Sequence, residues 1–252
     1  MNFSIIDGFS LPVIPLLHRA NKTHTDKFGN ISVEQKYNSY GYRTHEFNNL
    51  NNEYGLVIGC SHTEGKATHL EQRYSNLLEN KLNLQLINLG LGASSATICK
   101  KNIIAWTTSQ KILPKFVIIQ WPNPYRLFTF NHTNKSTFEV LNGNPGVISK
   151  SMLKESTHNF LEIWLSSIID TNKILQLLKI PCYNIHFQTK NEVAEFDIDI
   201  ILKNHNIKMY LNTDDPQKYW QVDCAAYDKS HHSNACHQQW ANKLFEIINE
   251  ST

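Results

Sequence analysis

One residue and a pair far from it in the chain have the types needed to activate an acyl carbonyl. Ser61 stands in "LVIGCSHTEG" (56–65), directly after an apolar run. Asp228 and His231 stand three positions apart in "AAYDKSHHSNACHQQWA" (225–241). A hydroxyl becomes a nucleophile when a base takes its proton, and the base needs a partner that fixes its tautomer. The oxyanion formed on attack needs hydrogen-bond donors in a dry site. Ser61 offers the hydroxyl, His231 the base and Asp228 the orienting carboxylate. The backbone N–H of Ser61, the turn "NLGLGASS" (88–95) and the amide of Asn123 offer the donors.

Each of these residues also has a plainer reading. Ser61 is of a type that caps a helix N-terminus. Asp228 fits a turn and His231 a solvated loop. Asp228, His231, His232, Cys236 and His237 are together of metal-ligand type, but no second cluster with zinc-like spacing accompanies them. No metal or organic cofactor is therefore expected. Cys60 is a second candidate nucleophile, since thiolates are activated at helix N-termini; a side chain next to the nucleophile normally points elsewhere. Arg126 either touches an anionic or sugar substrate or is a solvated loop arginine. Arg43 and Glu46 are expected to form an ion pair that pins the N-terminal segment.

The elements that must position these residues follow from periodicity. Short apolar runs predict buried strands at 54–59, 84–90, 115–121 and 182–187, with a weaker one at 207–211. Helical spacing predicts helices over 65–82, 95–110, 156–180 and 234–249. Residues 122–155 show no clear period, with a hairpin expected around "NGNPG" (142–146). Residues 1–50 read as an irregular extension packed on the domain formed by 51–252. Strands alternating with helices imply parallel strands with helices on both faces. In such folds ligands bind beyond the carboxyl ends of the strands, where strand order reverses. The residues following the first three strands, Ser61, the 88–95 turn and Asn123, would meet there.

These blocks, in this order, resemble those of the SGNH (GDSL-type) hydrolase superfamily. "VIGCSHTEG" resembles its nucleophile block, with Ser61 as nucleophile. "INLGLGASS" and "FVIIQWPNP" resemble its second and third blocks. "YDKSHHSNACHQQWANKL" resembles its last, which places Asp228 and His231. "NSYGYRTHEF" (38–47) resembles an Asn-x-x-Gly-x-Arg-x-x-Glu segment found upstream of the nucleophile in one branch. The resemblance spans roughly residues 38–248. Cys60 replaces the usual aspartate, the second-block donor falls on Gly92 or Ala93, and Pro124 follows Asn123 where the family has Gly-x-Asn-Asp. The resemblance implies a three-layer α/β/α fold with about five parallel strands in flavodoxin-like order. It implies a serine esterase that removes a small O-linked acyl group, with O-acetyl on carbohydrate favoured. A glycan O-acyltransferase of the same fold, or a binding module without turnover, are the alternatives.

Bulk properties exclude other classes. The 252 residues, 41% hydrophobic, suffice for one full core. A net charge of +2 and a pI near 8.2, without blocks of like charge, argue against a nucleic-acid partner. No apolar run reaches membrane-spanning length. "MNFSIIDGFSLPVIPLLHRA" lacks a basic n-region and is interrupted by Pro12 and Pro15, so no signal peptide is expected and the cytoplasm is the expected location. Cysteines 60, 99, 182, 224 and 236 form no CxxC pair and read as free thiols in a reducing compartment. "NLGLGAS" lacks the third glycine of a dinucleotide fingerprint and follows the second strand, not the first.

Overall fold

A computed structural model describes residues 16, 18–48, 50–124, 126–130, 138–142, 150–186, 198–212 and 231–251. Two antiparallel hairpins, β1 (Thr23–Phe28) with β2 (Ile31–Lys36) and β6 (Arg126–Phe130) with β7 (Phe138–Asn142), accompany a central sheet. That sheet contains β3 (Tyr54–Gly59), β4 (Gln85–Gly90), β5 (Val117–Trp121), β8 (Cys182–His186) and β9 (Met209–Asn212). The helices are α1 (Ser61–Glu64), α2 (Tyr74–Leu82), α3 (Ala96–Ser109), α4 (Lys150–Leu177), α5 (Ile198–Asn204) and α6 (Asn234–Ser251).

The five central strands are parallel and lie in the order β4-β3-β5-β8-β9. Counted along the chain this is 2-1-3-4-5, the flavodoxin-like order expected. Every residue of β3 is buried, as a parallel sheet covered on both faces requires. Side chains alternate between two cores because successive strand residues point to opposite faces. Leu56, Ile58, Ile87, Leu89, Val117 and Ile119 pack with Trp106 of α3, Trp164 of α4 and Leu202 of α5. Val57, Leu86, Ile118 and Ile185 pack with Leu78 of α2 and Trp240 and Leu244 of α6. The result is three layers.

The sequence placed the five strands correctly and the helices less well. The helix expected over 65–82 begins only at Tyr74. Gly65, in the left-handed region at φ +73°, ends α1 after one turn. The segment before Tyr74 is then held by a non-local group: Arg73 donates from Nη1 to the Arg43 carbonyl at 2.6 Å and from Nε to Asn76 Oδ1 at 2.8 Å. The helix expected over 156–180 is Lys150–Leu177, and α5 was not expected. The strands of the second hairpin pair Arg126 with Asn142 and Phe130 with Phe138, and the hairpin expected around "NGNPG" falls on positions after Asn142 that lie outside the described residues.

Residues 16–50 lie outside the parallel sheet, yet they contain the regular hairpin β1–β2 and contribute to the core. Tyr42 and Phe47 are buried, and Phe47 meets Trp106 edge-on with ring centroids 5.0 Å apart. The backbone here folds around Asn38, whose Oδ1 accepts from the N–H groups of Tyr40 and Tyr42, each at 3.0 Å. Arg43 and Glu46 do not pair with each other as expected. Arg43 donates to the carbonyls of Gly65 at 2.7 Å and Glu34 at 3.1 Å, while Glu46 accepts from Ser39 N at 2.9 Å and Oγ at 2.6 Å. Arg43 still pins the N-terminal segment to the end of α1. Among the described residues no helix is long and apolar enough to cross a membrane.

Candidate active site

The β3–α1 turn sits where strand order reverses: β4 lies on one side of β3 and β5 on the other. Ser61 opens α1, and all four residues of that helix are buried. Three elements clamp it. Asn88 of β4 donates from Nδ2 to the Thr63 carbonyl at 2.8 Å and to Ser75 Oγ at 2.8 Å. Thr63 Oγ1 donates to Gln120 Oε1 of β5 and accepts from Tyr74 OH of α2 at 3.2 Å. Gly90 ends β4 against α1; a Cβ there would collide with the backbone of Thr63 and Glu64. Only glycine allows that approach.

Ser61 retains 7% of its surface in solvent, against 1% for Cys60. Burial pushes the Cys60 thiol up, which favours the neutral, poorly nucleophilic form. His62, the residue after Ser61, meets the segment just before α6: its ring centroid lies 5.0 Å from that of His231 and 4.3 Å from that of His232. His231 is half-buried. His232 is held down to about 4, first by burial and then by His231 beside it. His62 is held well below the usual imidazole value by burial, then by His232 and His231. A base must titrate near the working pH to take a proton effectively, so His232 is poorly suited to that task. His237 is a core group: its Nδ1 accepts from Tyr74 N at 3.2 Å, its ring stacks on Tyr74, and burial holds it down to about 3. Asp228 lies outside the described residues.

The turn after β4 comes against Ser61, since a Cβ on Gly92 would stand 4.0 Å from Ser61 Cβ. One expectation needs correcting here. The N–H of Gly92 is not open to an oxyanion, because it donates to Glu64 Oε2 at 2.6 Å. Ala93 is exposed and left-handed at φ +59°, a conformation that glycine adopts without cost and alanine does not. Of the two donor candidates, Ala93 is the one left. Asn123 is half-buried in the turn leaving β5, and its carbonyl accepts from Arg126 N at 3.2 Å. Trp164 of α4 fixes this turn by donating from Nε1 to the Pro122 carbonyl at 2.7 Å.

Glu64 was not foreseen. It is 3% exposed, pairs with Arg19 Nη2, and stands 3.5 Å from Tyr37 OH. The Arg19 guanidinium also lies over the Tyr37 ring, 4.1 Å from its centroid. These partners come from separate parts of the chain, so no local pattern announces them. His62 is different: its place beside Ser61 was visible in the sequence.

No protein-family model and no curated protein matches the chain. Solved structures do. A G-D-S-L family protein from Desulfitobacterium hafniense DCB-2 aligns over 78% of this chain and 99% of its own, with 16% identity and a TM-score of 0.52. The psychrotrophic esterase EstA from Pseudoalteromonas sp., in a structure inhibited by monoethylphosphonate, aligns over 79% and 98%, with 13% identity and a TM-score of 0.52. A carbohydrate esterase family 2 enzyme with its carbohydrate binding domain, from Corynascus thermopiles (Myceliophthora fergusii), aligns over 80% and 67%, with 10% identity and a TM-score of 0.52. The chain has the fold of the GDSL-type, or SGNH, hydrolases.

Proposed function

We propose that the protein is an SGNH-type serine esterase that removes a small O-linked acyl group. Ser61 Oγ attacks the ester carbonyl as His231 takes its proton, and Asp228 fixes the imidazole. The N–H groups of Ser61 and Ala93, with the Asn123 amide, receive the oxyanion. Collapse expels the alcohol, which takes the proton from His231. Water, activated by the same imidazole, then releases the acyl group from Ser61.

One observation carries this reading. A serine just beyond the first strand lies one residue from an imidazole, His62, that packs 5.0 Å from His231 in the segment leading into α6. The chain thereby brings its hydroxyl and histidine segments to the crevice where this fold class binds ligands. The fold shared with EstA and with the carbohydrate esterase family 2 enzyme supports ester chemistry, and the latter favours acylated carbohydrate as substrate. Among the described residues Cys60, Cys99 and Cys182 are free thiols, in keeping with the reducing compartment the sequence suggests.

The test is covalent labelling. A fluorophosphonate probe should add its mass to the peptide carrying Ser61, and Ser61→Ala should abolish the adduct. His231→Ala should slow labelling on the order of 100-fold or more by removing the base. An intact, folded protein that never labels at Ser61 overturns the proposal.

A further inference from the structure

We infer that Arg126 is an anion-binding residue of the ester site, so that the substrate carries a carboxylate close to its scissile bond. The inference rests on the esterase reading for the position of that bond. Arg126 opens β6 only five residues after β5 ends, and its N–H bond to the Asn123 carbonyl folds the turn back at that end of the sheet. β5 pairs directly with β3, Ile119 opposite Ile58, so the turn carrying Arg126 and the turn carrying Ser61 leave the same edge side by side. The charge of Arg126 acts on both neighbours of Ser61: it favours the thiolate of Cys60 and disfavours the imidazolium of His62.

The guanidinium itself is incompletely satisfied. Arg126 is half-buried, its Nη1 is shut away from solvent without a hydrogen-bond partner, and it has no ion pair among the described residues. A solvated loop arginine would keep its nitrogens in water. A buried, charged donor left unpaired is costly, and an acceptor delivered by a ligand removes that cost. The guanidinium fork matches a carboxylate with two parallel hydrogen bonds. The carboxylate has two possible sources. It belongs either to the alcohol part of the ester, as in an acidic sugar, or to the acyl part, as in a half-ester of a dicarboxylic acid.

Two substrate pairs separate these sources. Acetylsalicylate against its methyl ester places the anion on the alcohol side. 4-Nitrophenyl hemisuccinate against 4-nitrophenyl methyl succinate places it on the acyl side. The expected result is that Arg126→Gln lowers kcat/KM for one anionic ester at least about tenfold more than for its neutral counterpart, with the effect in KM. Arg126→Lys should restore part of the difference. Equal losses on charged and neutral esters, or no change in either ratio, overturn the inference while leaving the esterase reading standing. Calorimetry on Ser61→Ala protein provides a readout that needs no turnover. Salicylate or succinate should bind, and Arg126→Gln should weaken binding at least about tenfold. Arg126-dependent binding without Ser61-dependent hydrolysis would sink the esterase reading alone. No binding of either anion overturns the anion site.

Discussion

The carboxylate of Glu64 accepts the N–H of Gly92 at 2.6 Å, joining the helix that begins with Ser61 to the turn that follows β4. Through Arg19 and Tyr37 the same carboxylate ties both elements to the N-terminal segment. The relative placing of the hydroxyl and of Ala93 therefore depends on one buried anion.

Replacing Glu64 should damage both stability and turnover. Glu64→Ala leaves Arg19 without its anion and the Gly92 N–H without its acceptor. Losing one partner of a buried pair costs about 3 kcal/mol, toward the lower end of the range because Arg19 keeps some contact with water. Glu64→Gln keeps an acceptor for Gly92 and should cost less, about 1–2 kcal/mol. If the carboxylate positions the donor turn, kcat falls about tenfold in Glu64→Ala and less in Glu64→Gln. Urea midpoints and ester hydrolysis on the same preparations would check this. Full kcat in a destabilised Glu64→Ala protein would make the network purely structural.

The 92–93 turn supports a paired test. Ala93→Gly relieves a left-handed alanine, worth about 1 kcal/mol, and loses a similar amount in chain entropy. Stability should stay within about 1 kcal/mol and esterase activity should persist, since the backbone N–H is unchanged. Gly92→Ala is different: its Cβ would lie 3.0 Å from Glu64 Oε2 and 4.0 Å from Ser61 Cβ. Turnover should fall by about tenfold or more as the turn shifts. Full activity in Gly92→Ala would show that the contacts of this turn with Glu64 and Ser61 do not position the donor.

Arg43 offers a third test. Its fork reaches two carbonyls, Gly65 at 2.7 Å and Glu34 at 3.1 Å, and burial lowers its affinity for protons. Lysine presents a single ammonium and cannot span both acceptors. Arg43→Lys should cost about 2 kcal/mol, for the lost charged hydrogen bonds. Thermal unfolding would register it, and a Tm unchanged from the parent would refute the pinning role.

What could be read from the sequence divides along physical lines. β3 and β5 were legible because strands buried on both faces must be continuous apolar runs, as "YGLVIG" and "VIIQW" are. The hairpin β1–β2 was overlooked although it carries a signal. Gly29 and Asn30 form its two-residue turn, and Gly29 alone is left-handed at φ +60°, the pattern of a type II′ turn. The start of α2 was not legible, because Gly65 and the long-range bonds of Arg73 decide it. In the site, Ser61 was marked by its strand and His231 by its block. Glu64 was not marked, since Arg19, Tyr37 and Gly92 make it matter and stand 45, 27 and 28 positions away. For the same reason, nothing in "NLGLGASS" could show that the Gly92 N–H was already taken.

Acid should unfold this protein through its buried histidines. His232 is held down to about 4 and His237 to about 3, both chiefly by burial, and His62 is also held low by burial. In the unfolded chain these imidazoles take up protons below about pH 6.5. The folded state refuses them until far lower pH. Between those limits the unfolded state binds more protons, so stability rises with pH, is fully present above about 6.5 and is lost on acidification. His45 runs the other way, raised by its hydrogen bond to Glu79, but it is exposed and contributes less. His237→Gln keeps an acceptor for the Tyr74 N–H and removes one titrating group. Its stability between pH 4 and 6.5 should fall less steeply than the parent's, by up to about 1.4 kcal/mol per pH unit. Urea unfolding at pH 7.5, 6 and 5 would measure the slope. Identical slopes in parent and variant would mean that the native protein protonates His237 as readily as the unfolded chain does, and α6 could not then pack on Tyr74 as described.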